Sequence, residues 1–330
     1  MADLSLGLMI VVALALLFDF SNGWHDSANA IATVVSTRVL SPLSAVLLAG
    51  VLNVAGAFMS TAVAKMVGAG IVLPSAVTQA VVGSALAGAI VWNLITLLLG
   101  LPTSSSHALI GGLVGASLSH GGWATINFGG LKSVLQAMIV SPLFGFLTGM
   151  TIMLLITWTF FRTPRGMAVR LFGRLQLISA GFMAFSHGAN DAQKAMGIIT
   201  LALLADGHLS TPEVPTWVIV LCALAMGLGT AAGGWKIVKT LGMKILKMDP
   251  VHGFAAETGA AAVLLATASI GLPVSTTHTI TSAVMGVGVV KRLSAVRWGV
   301  TARIVYAWIF TLPGAGILGA AIYALVSLAI

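Results

Sequence analysis

The stretch F-S-N-G-W-H-D at residues 20–26 returns as F-S-H-G-A-N-D at residues 185–191. A second pair of blocks follows in the same order, with G-L-P-T-S-S-S-H at 100–107 and G-L-P-V-S-T-T-H at 271–278. The first pair is separated by 165 positions and the second by 171. Two ordered matches at nearly equal spacing indicate an internal repeat. The chain is therefore predicted to contain two related halves.

These polar blocks lie in a very apolar chain. Of its 330 residues, 58% are hydrophobic and 7% are charged, and its mean hydropathy is +1.06, whereas soluble domains carry roughly 25% charged residues. Stretches long enough to cross a bilayer, roughly 20 residues each, lie at 4–22, 42–64, 133–161, 175–204, 215–235 and 303–329. Two more, 78–119 and 254–290, are interrupted by the Gly-Leu-Pro blocks and are predicted to be re-entrant helical hairpins. The fold class predicted is an all-α polytopic membrane protein.

The basic residues give the two halves an orientation. The segment 162–174 contains four arginines, and it is predicted to be cytoplasmic together with Lys236–Lys247 and Lys291–Arg297. Each half then has three spanning helices, one of them interrupted by polar residues, and one re-entrant hairpin. An odd number of crossings inverts the second half, as in secondary transporters. We therefore predict inverted-topology repeats at 1–161 and 175–330, a basic cytoplasmic linker at 162–174, and extracytoplasmic N- and C-termini.

Membrane orientation also accounts for the net charge of +8, because the basic residues are scattered through short loops and form no compact basic domain. Nucleic-acid binding is therefore not predicted. The single cysteine, Cys222, excludes an internal disulfide and a cysteine-based metal cluster.

The first pair of blocks places carboxylates inside apolar segments. Asn22, Asp26 and Asn29 have helical spacing and share one face, as do His187, Asp191 and Lys194. Such carboxylates are costly in a membrane and should face a partner or a wet cavity, although surface loops remain an alternative. Because carboxylate and amide oxygens are ligands for hard cations, a coupling-cation site is predicted at Asp26, Asn29, Asp191, Asn190 and Lys194. Supporting roles are considered for Asn22, His25, His187 and Gln193.

The two copies differ where Lys194 replaces Asn29. A fixed ammonium group there could take the place of one mobile cation, or it could form an internal ion pair with Asp191. Asp19 matches Ala184 and lies just outside the duplicated block, so solvation of a helix end and ion binding are both open. Glu257 matches Leu86, and both an intramembrane and a surface position are open for it.

The second pair of blocks predicts an anion site. Pro102 and Pro273 suit the first turn of a helix, and the hydroxyl residues that follow them suit a helix start. Free N–H groups and the positive end of the helix dipole bind anions at such a start. The predicted anion ligands are Ser104, Ser105, Ser106, Ser275, Thr276 and Thr277. His107 and His278 close the two runs, with either a packing role or a role as ligand or proton relay.

At these residues the sequence resembles the inorganic phosphate transporter (PiT) family, in its bacterial low-affinity phosphate permease branch. The signature blocks of that family, G-x-[HN]-D-x-A-N-A and H-G-x-N-D-x-Q-K, read here G-W-H-D-S-A-N-A at 23–30 and H-G-A-N-D-A-Q-K at 187–194. The resemblance implies a phosphate symporter of the plasma membrane, in which the Ser/Thr runs bind phosphate and the Asp/Asn blocks bind the coupling ion.

For bacterial members with Q-K, the resemblance further implies proton coupling and transport of phosphate with a divalent metal, whereas sodium-driven relatives tend to have a neutral residue where Lys194 stands. Which metal travels with phosphate is unknown. Phosphate, the coupling cation and membrane lipid are the expected partners, and a homo-oligomer is open. A sulfate symporter of the same family and a passive anion channel remain alternatives. No catalytic residue and no cofactor is predicted, because the chain contains neither H-E-x-x-H nor a phosphate-loop motif.

Overall fold

A computed structural model describes residues 5–73 and 77–329 and forms a bundle of α-helices. Within these residues no strand is present, only an isolated bridge between Val72 and Ile126. In chain order the helices are α1 (Leu6–Ser36), α2 (Pro42–Ala57), α3 (Ala62–Gly70), α4 (Gln79–Leu99), α5 (Ser105–Gly121), α6 (Phe128–Thr159), α7 (Arg165–Ala205), α8 (Thr216–Ala232), α9 (Trp235–Lys239), α10 (Pro250–Ser269), α11 (Thr276–Lys291) and α12 (Trp298–Ser327).

Six of these helices, α1, α4, α6, α7, α10 and α12, are long and apolar enough to cross a membrane. The helix α8 and the segment 235–244, which meet at an angle of 60°, satisfy the same criterion only when taken together, as a broken span or a re-entrant loop. The prediction of an all-α polytopic membrane protein is confirmed. The helix α7 begins at Arg165, so most of the segment 162–174 is helical and continues directly into the second half.

The stretch at 42–64, predicted to be one span, is not a continuous helix, because the chain breaks between α2 and α3. The N–H groups at the start of α3, which have no partner within their own helix, bond to a neighbouring helix: Gln193 Oε1 on α7 accepts hydrogen bonds from Val63 N at 2.8 Å and Ala64 N at 3.2 Å. The break between α8 and α9 has an equivalent contact, since Gly234 N donates to Ser27 Oγ on α1 at 2.6 Å. Side chains of α7 and α1 therefore stabilise the two breaks.

The two Gly-Leu-Pro blocks do interrupt the stretches 78–119 and 254–290 as predicted, with Gly100 and Gly271 at φ of 66° and 73°. The first arms α4 and α10 are longer than a short re-entrant arm requires, since each can cross a membrane by length. The prediction that Pro102 and Pro273 occupy the first helical turn is wrong. Ser104 and Ser275 are N-caps, accepting from His107 N and His278 N, and this capping fixes the later start.

Helices of the first half pack closely against helices of the second. A Cβ atom on Gly23 of α1 would lie 2.4 Å from Met226 O on α8, and one on Gly115 of α5 would lie 1.9 Å from Gly316 O on α12. The contacts with the halves exchanged are equally close, at Gly188 of α7 against α2 and Gly286 of α11 against α6. This packing brings α1, α7 and the beginnings of α5 and α11 together in the interior.

Candidate functional site

The duplicated carboxylates lie in the interior of two long helices. Asp26 on α1 and Asp191 on α7 are 1% and 0% exposed, and each is more than nine residues from either end of its helix. Their helical placement agrees with the predicted polar faces. The alternative of surface loops is wrong, because α1 continues through the alanine-rich sequence after Asp26 as far as Ser36. Such burial in a membrane helix requires polar partners.

Hydroxyl groups at the starts of α5 and α11 supply those partners. Ser105 Oγ donates to Asp26 Oδ2 at 2.7 Å and to Asn22 Oδ1 at 2.5 Å. Thr276, its counterpart in the second block, donates to Asp191 Oδ2 at 3.0 Å. The carboxylates predicted for the cation and the hydroxyls predicted for the anion therefore contact one another.

Three further hydrogen bonds join the halves across the middle of the molecule. Thr277 Oγ1 donates to Asp26 Oδ1 at 3.1 Å. Asn29 Nδ2 donates to Thr277 Oγ1 at 2.9 Å and to Thr276 Oγ1 at 3.2 Å. The start of α11 is thus bonded to α1 as well as to α7, so a displacement of α11 would change the hydrogen bonding of both carboxylates.

Lys194 lies inside this cluster with only 1% exposure. Its Nζ donates to Asp191 Oδ1 at 2.6 Å, and His187 Nε2 lies 3.4 Å from the other oxygen of the same carboxylate. The predicted ion pair between Lys194 and Asp191 is present. The second-half carboxylate therefore has a fixed cation, whereas Asp26 has His25 Nδ1 at 2.7 Å and no lysine or arginine partner within the described residues.

A second layer of hydrogen bonds orients the two histidines. His25 Nε2 lies 3.1 Å from Thr96 Oγ1 on α4 and 3.4 Å from Thr103 Oγ1. His187 Nδ1 lies 2.9 Å from Asn53 Oδ1, and the amide of Asn53 donates to Thr230 Oγ1 at 2.9 Å. These threonines were not predicted as site residues. They could have been found from the sequence as polar side chains in otherwise apolar stretches, because buried polar groups need hydrogen-bond partners.

The donor atoms are close enough together for a cation. One atom each from Asp26, His187 and Asp191 lies within 4.8 Å of the others. The Oδ1 atoms of Asn29 and Asn190 are buried without a hydrogen-bond partner among the described residues. Asn29 is bonded to two threonines of α11, so its free oxygen lies within the cluster. Carboxylate, amide and imidazole groups can bind a hard cation or a divalent transition metal.

Several predicted residues have other contacts. Ser104 and Ser275 cap their helices, and Ser106 donates to Val274 O at 3.3 Å. Gln193 binds the start of α3. The rings of His107 and His278 contact each other edge to face, with centroids 4.6 Å apart, and His278 stacks on Trp308. His278 therefore packs against α12, and His107 packs against His278.

Glu257 is buried but lies outside this cluster. Its carboxylate accepts hydrogen bonds from Thr33 Oγ1 at 2.5 Å, from Gln176 Nε2 at 3.0 Å and from Ser179. The surface position considered for it is therefore wrong. Thr33 follows Asn29 by one helical turn on α1, so Glu257 links α10, α1 and α7 one turn away from the cation ligands.

Comparison with known proteins gives a consistent assignment. The profile of the Phosphate transporter family matches residues 22–319. A protein of Rhizobium meliloti named a probable low-affinity inorganic phosphate transporter is 48% identical over 98% of this chain and 97% of its own. A Bacillus subtilis protein of the same name is 45% identical over 96% of each chain. A solved structure titled as the sodium-dependent phosphate transporter superimposes with a TM-score of 0.91 at 26% identity, covering 99% of this chain and all of the other.

These relatives are named as transporters and permeases and not as enzymes, and the apolar helices agree with a multi-pass membrane protein. On the match over residues 22–319 and the identities along nearly the whole chain, this protein belongs to the phosphate transporter family.

Proposed function

We propose that this protein imports inorganic phosphate by symport with a cation, with the proton favoured as the coupling ion. The observation that carries the proposal is the direct bonding of Ser105 to Asp26 and of Thr276 to Asp191. Anion donors and cation ligands share hydrogen bonds in one buried cluster, so a change in the charge of the carboxylates changes the availability of the donors.

This sharing supports a specific order of events. While Asp26 and Asp191 are ionised and without a mobile cation, they hold the hydroxyls of Ser105, Thr276 and Thr277. A proton or cation on the carboxylates weakens those bonds, because charge-assisted hydrogen bonds are roughly twice as strong as neutral ones. The released hydroxyls, together with the N–H groups at the starts of α5 and α11, can then bind phosphate oxygens.

The charge of the cluster supports symport over uniport. Asp26 and Asp191 contribute two negative charges, and Lys194 is the only lysine or arginine that pairs with either in the described part of the chain. A phosphate anion entering this buried region without an accompanying cation would add uncompensated charge at low dielectric. Entry with a proton, sodium or a divalent metal cation avoids that cost.

Phosphate is favoured over sulfate because the site contains unpaired acceptors. Near neutral pH phosphate still carries a hydrogen that it can donate, and sulfate does not. Both carboxylates and the free Oδ1 atoms of Asn29 and Asn190 can accept it. A site with unfilled acceptors discriminates strongly against an analogue that lacks the donor.

The ion pair of Lys194 with Asp191 supports the proton over sodium, since a fixed ammonium group already occupies the place that a sodium ion would need there. The cluster of Asp26, His187 and Asp191 also suits a divalent metal travelling as cargo with phosphate. The exchanged packing of the halves agrees with a two-fold relation between them. The proposed mechanism has two inverted repeats, with both termini extracytoplasmic, that rock against each other in alternating access.

Uptake of radiolabelled phosphate into proteoliposomes tests this proposal. We expect an inside-alkaline pH gradient to drive accumulation and excess sulfate to leave uptake largely unchanged. Phosphate flux independent of any imposed proton or sodium gradient would overturn symport. Stronger inhibition by sulfate than by unlabelled phosphate would overturn the substrate, and acceleration by sodium alone would overturn the preference for the proton.

A further inference from the structure

Asp19 is a buried carboxylate that lies outside the duplicated motifs. It is 0% exposed and lies in the middle of α1, so the solvation of a helix end, considered from the sequence, is wrong. Neither carboxylate oxygen has a partner at full hydrogen-bond geometry among the described residues, although the side chains of Asn22 and Cys222 lie close to the carboxylate. An ionised carboxylate in this condition is very costly, because burial removes water and no well-formed hydrogen bond replaces it.

The surroundings of Asp19 are suited to a proton rather than to a metal ion. The helix α8 packs against α1, and its buried residues are apolar or small apart from Thr230. Asn22, one turn further along α1, and Cys222 are the polar side chains beside it. Metal cations require several oxygen ligands, whereas a proton requires only one carboxylate oxygen.

The charged groups that act on Asp19 belong to the substrate cluster. Asp191 and Lys194 on α7 are the charged residues close enough to influence it, and Cys222 is the titratable group on α8. The helix α4, which also packs against α1, contains no titratable residue. Because Lys194 is already bonded to Asp191 at 2.6 Å, Asp19 has no cation of its own.

The position of Asp19 links its charge to substrate binding. It precedes Asp26 by seven residues, which is about 10 Å along a helix and returns to the same face. An ionised Asp19 would add a third negative charge to the region that must accept phosphate. Uptake of one proton by Asp19 removes that charge, while a cation bound at Asp26 and Asp191, such as a divalent metal that travels with phosphate, releases the hydroxyls.

We propose that Asp19 is a proton-binding residue that carries the coupling proton of phosphate transport. This inference rests on the proposed proton symport. The carboxylate takes a proton from the extracytoplasmic side before phosphate binds and releases it to the cytoplasm after phosphate leaves, so one proton crosses with each phosphate. Ala184 occupies the equivalent place in the second half, so this step occurs once in each cycle.

Two transport assays on reconstituted protein test the assignment. Counterflow exchange of labelled phosphate at equal pH needs substrate binding and reorientation but no net proton movement, whereas accumulation under a pH gradient needs both. We expect Asp19→Asn, a neutral isostere of the protonated acid, to retain exchange and to lose acceleration by the pH gradient. For a gradient of one pH unit, loss of one coupled proton lowers the accumulation ratio about tenfold.

Glu213→Gln is the matched control, since it removes an exposed carboxylate and should retain both activities. If wild-type protein fails to take up phosphate, the proposed function itself fails. If the wild type responds to the pH gradient and Asp19→Asn responds equally, only the role of Asp19 is overturned.

Infrared difference spectroscopy tests the proton directly. We expect phosphate addition to wild-type protein at neutral pH to change a protonated-carboxyl band, and that signal to be absent in Asp19→Asn. Asp19→Glu, which retains the ionisable group, should retain a shifted band. Should the asparagine variant fail to fold, the wild-type spectrum decides, since absence of any phosphate-dependent carboxyl band would overturn the proposal.

Discussion

Ser105 and Asp26 lie 79 positions apart in the chain and are joined by a hydrogen bond of 2.7 Å. The bond connects the start of α5 with the interior of α1, so a residue predicted for the anion directly contacts a residue predicted for the cation. Under the proposed symport, this bond lets one buried cluster respond to both ions. It also identifies the hydroxyls whose removal should weaken substrate binding without preventing folding.

We expect Ser105→Ala and Thr276→Ala each to weaken phosphate binding. Each substitution removes a donor to a charged oxygen, a bond worth about 1.5–3 kcal/mol, which corresponds to roughly 10- to 100-fold in affinity. Thr276→Ser keeps the hydroxyl and should retain most of the affinity. The measurement is the phosphate concentration dependence of uptake. Ser119→Ala, at an exposed position on the same helix as Ser105, is the control, and equal affinities of it and Ser105→Ala would refute the hydroxyl cradle.

Substitution of Lys194 should change the ion requirement of the protein. Lys194→Met leaves the Asp191 carboxylate buried without its cation, and breaking a buried pair costs about 3–5 kcal/mol. Lys194→Asn instead reproduces the residue of the first half, Asn29, and provides an amide oxygen for a mobile cation. We expect thermal unfolding in detergent to be shifted upward by sodium for Lys194→Asn but not for the wild type. An unchanged ion requirement in both transport and unfolding would contradict a role of Lys194 as a fixed cation.

Glu257 should stabilise the fold through its three donors. Glu257→Ala leaves the amide of Gln176 and the hydroxyls of Thr33 and Ser179 without their acceptor, at a cost of about 1–3 kcal/mol for each group that remains unsatisfied. Glu257→Gln retains one carbonyl oxygen, and hydroxyls can reverse their direction. We therefore expect the free energy of unfolding to follow the order wild type, glutamine, alanine. An alanine variant as stable as the glutamine variant would show that these hydrogen bonds contribute little.

The pH dependence of stability has a predictable component at Asp249, outside the spanning part of α10. Burial alone raises the pKa of this carboxyl, but the hydrogen bond to His252, the charge of that histidine and a backbone hydrogen bond outweigh burial and lower the pKa below 3.8. Since the pKa is depressed on folding, its contribution is present above 3.8 and is lost as the pH falls through the folded value. We expect Asp249→Asn, which preserves an N-cap, to be less stable than wild type at neutral pH and equally stable in strong acid, as measured by thermal unfolding.

The sequence predicted the two motif pairs and their chemistry, because helical spacing alone places Asp26 with Asn29 and Asp191 with Lys194 on shared faces. It could not predict that these faces meet the hydroxyls, since that contact depends on how α5 and α11 cross the long helices. The break after Ala57 was missed because F-M-S-T at 58–61 contains neither Gly nor Pro. Its stability comes from Gln193, which is distant in sequence.

The burial of Asp19 and Glu257 could not be predicted from the sequence for the same reason, because it depends on how the helices pack. The apolar stretch 4–22 appeared to end near Asp19, yet α1 continues as a helix to Ser36 because the following residues pack against other helices and are not exposed. Glu257 has no polar counterpart in the first half, so the repeat gave no indication of its environment. Single residues outside a duplicated pattern therefore require the tertiary structure.

The close helix crossings should be the most sensitive positions for added volume. A Cβ atom at Gly115 would lie 1.9 Å from Gly316 O, and one at Gly286 would lie 2.1 Å from Phe146 O. Both neighbours are backbone, so the helices themselves must separate, and overpacking of this kind costs about 1–3 kcal/mol. We expect Gly115→Ala and Gly286→Ala to lower the unfolding temperature in detergent. Gly173→Ala is the matched control, because Gly173 also lies in a helix but has open space around it. There alanine should raise helix stability by about 0.5–1 kcal/mol, and a gain of the same size at Gly115 would show that α5 and α12 are not packed as described.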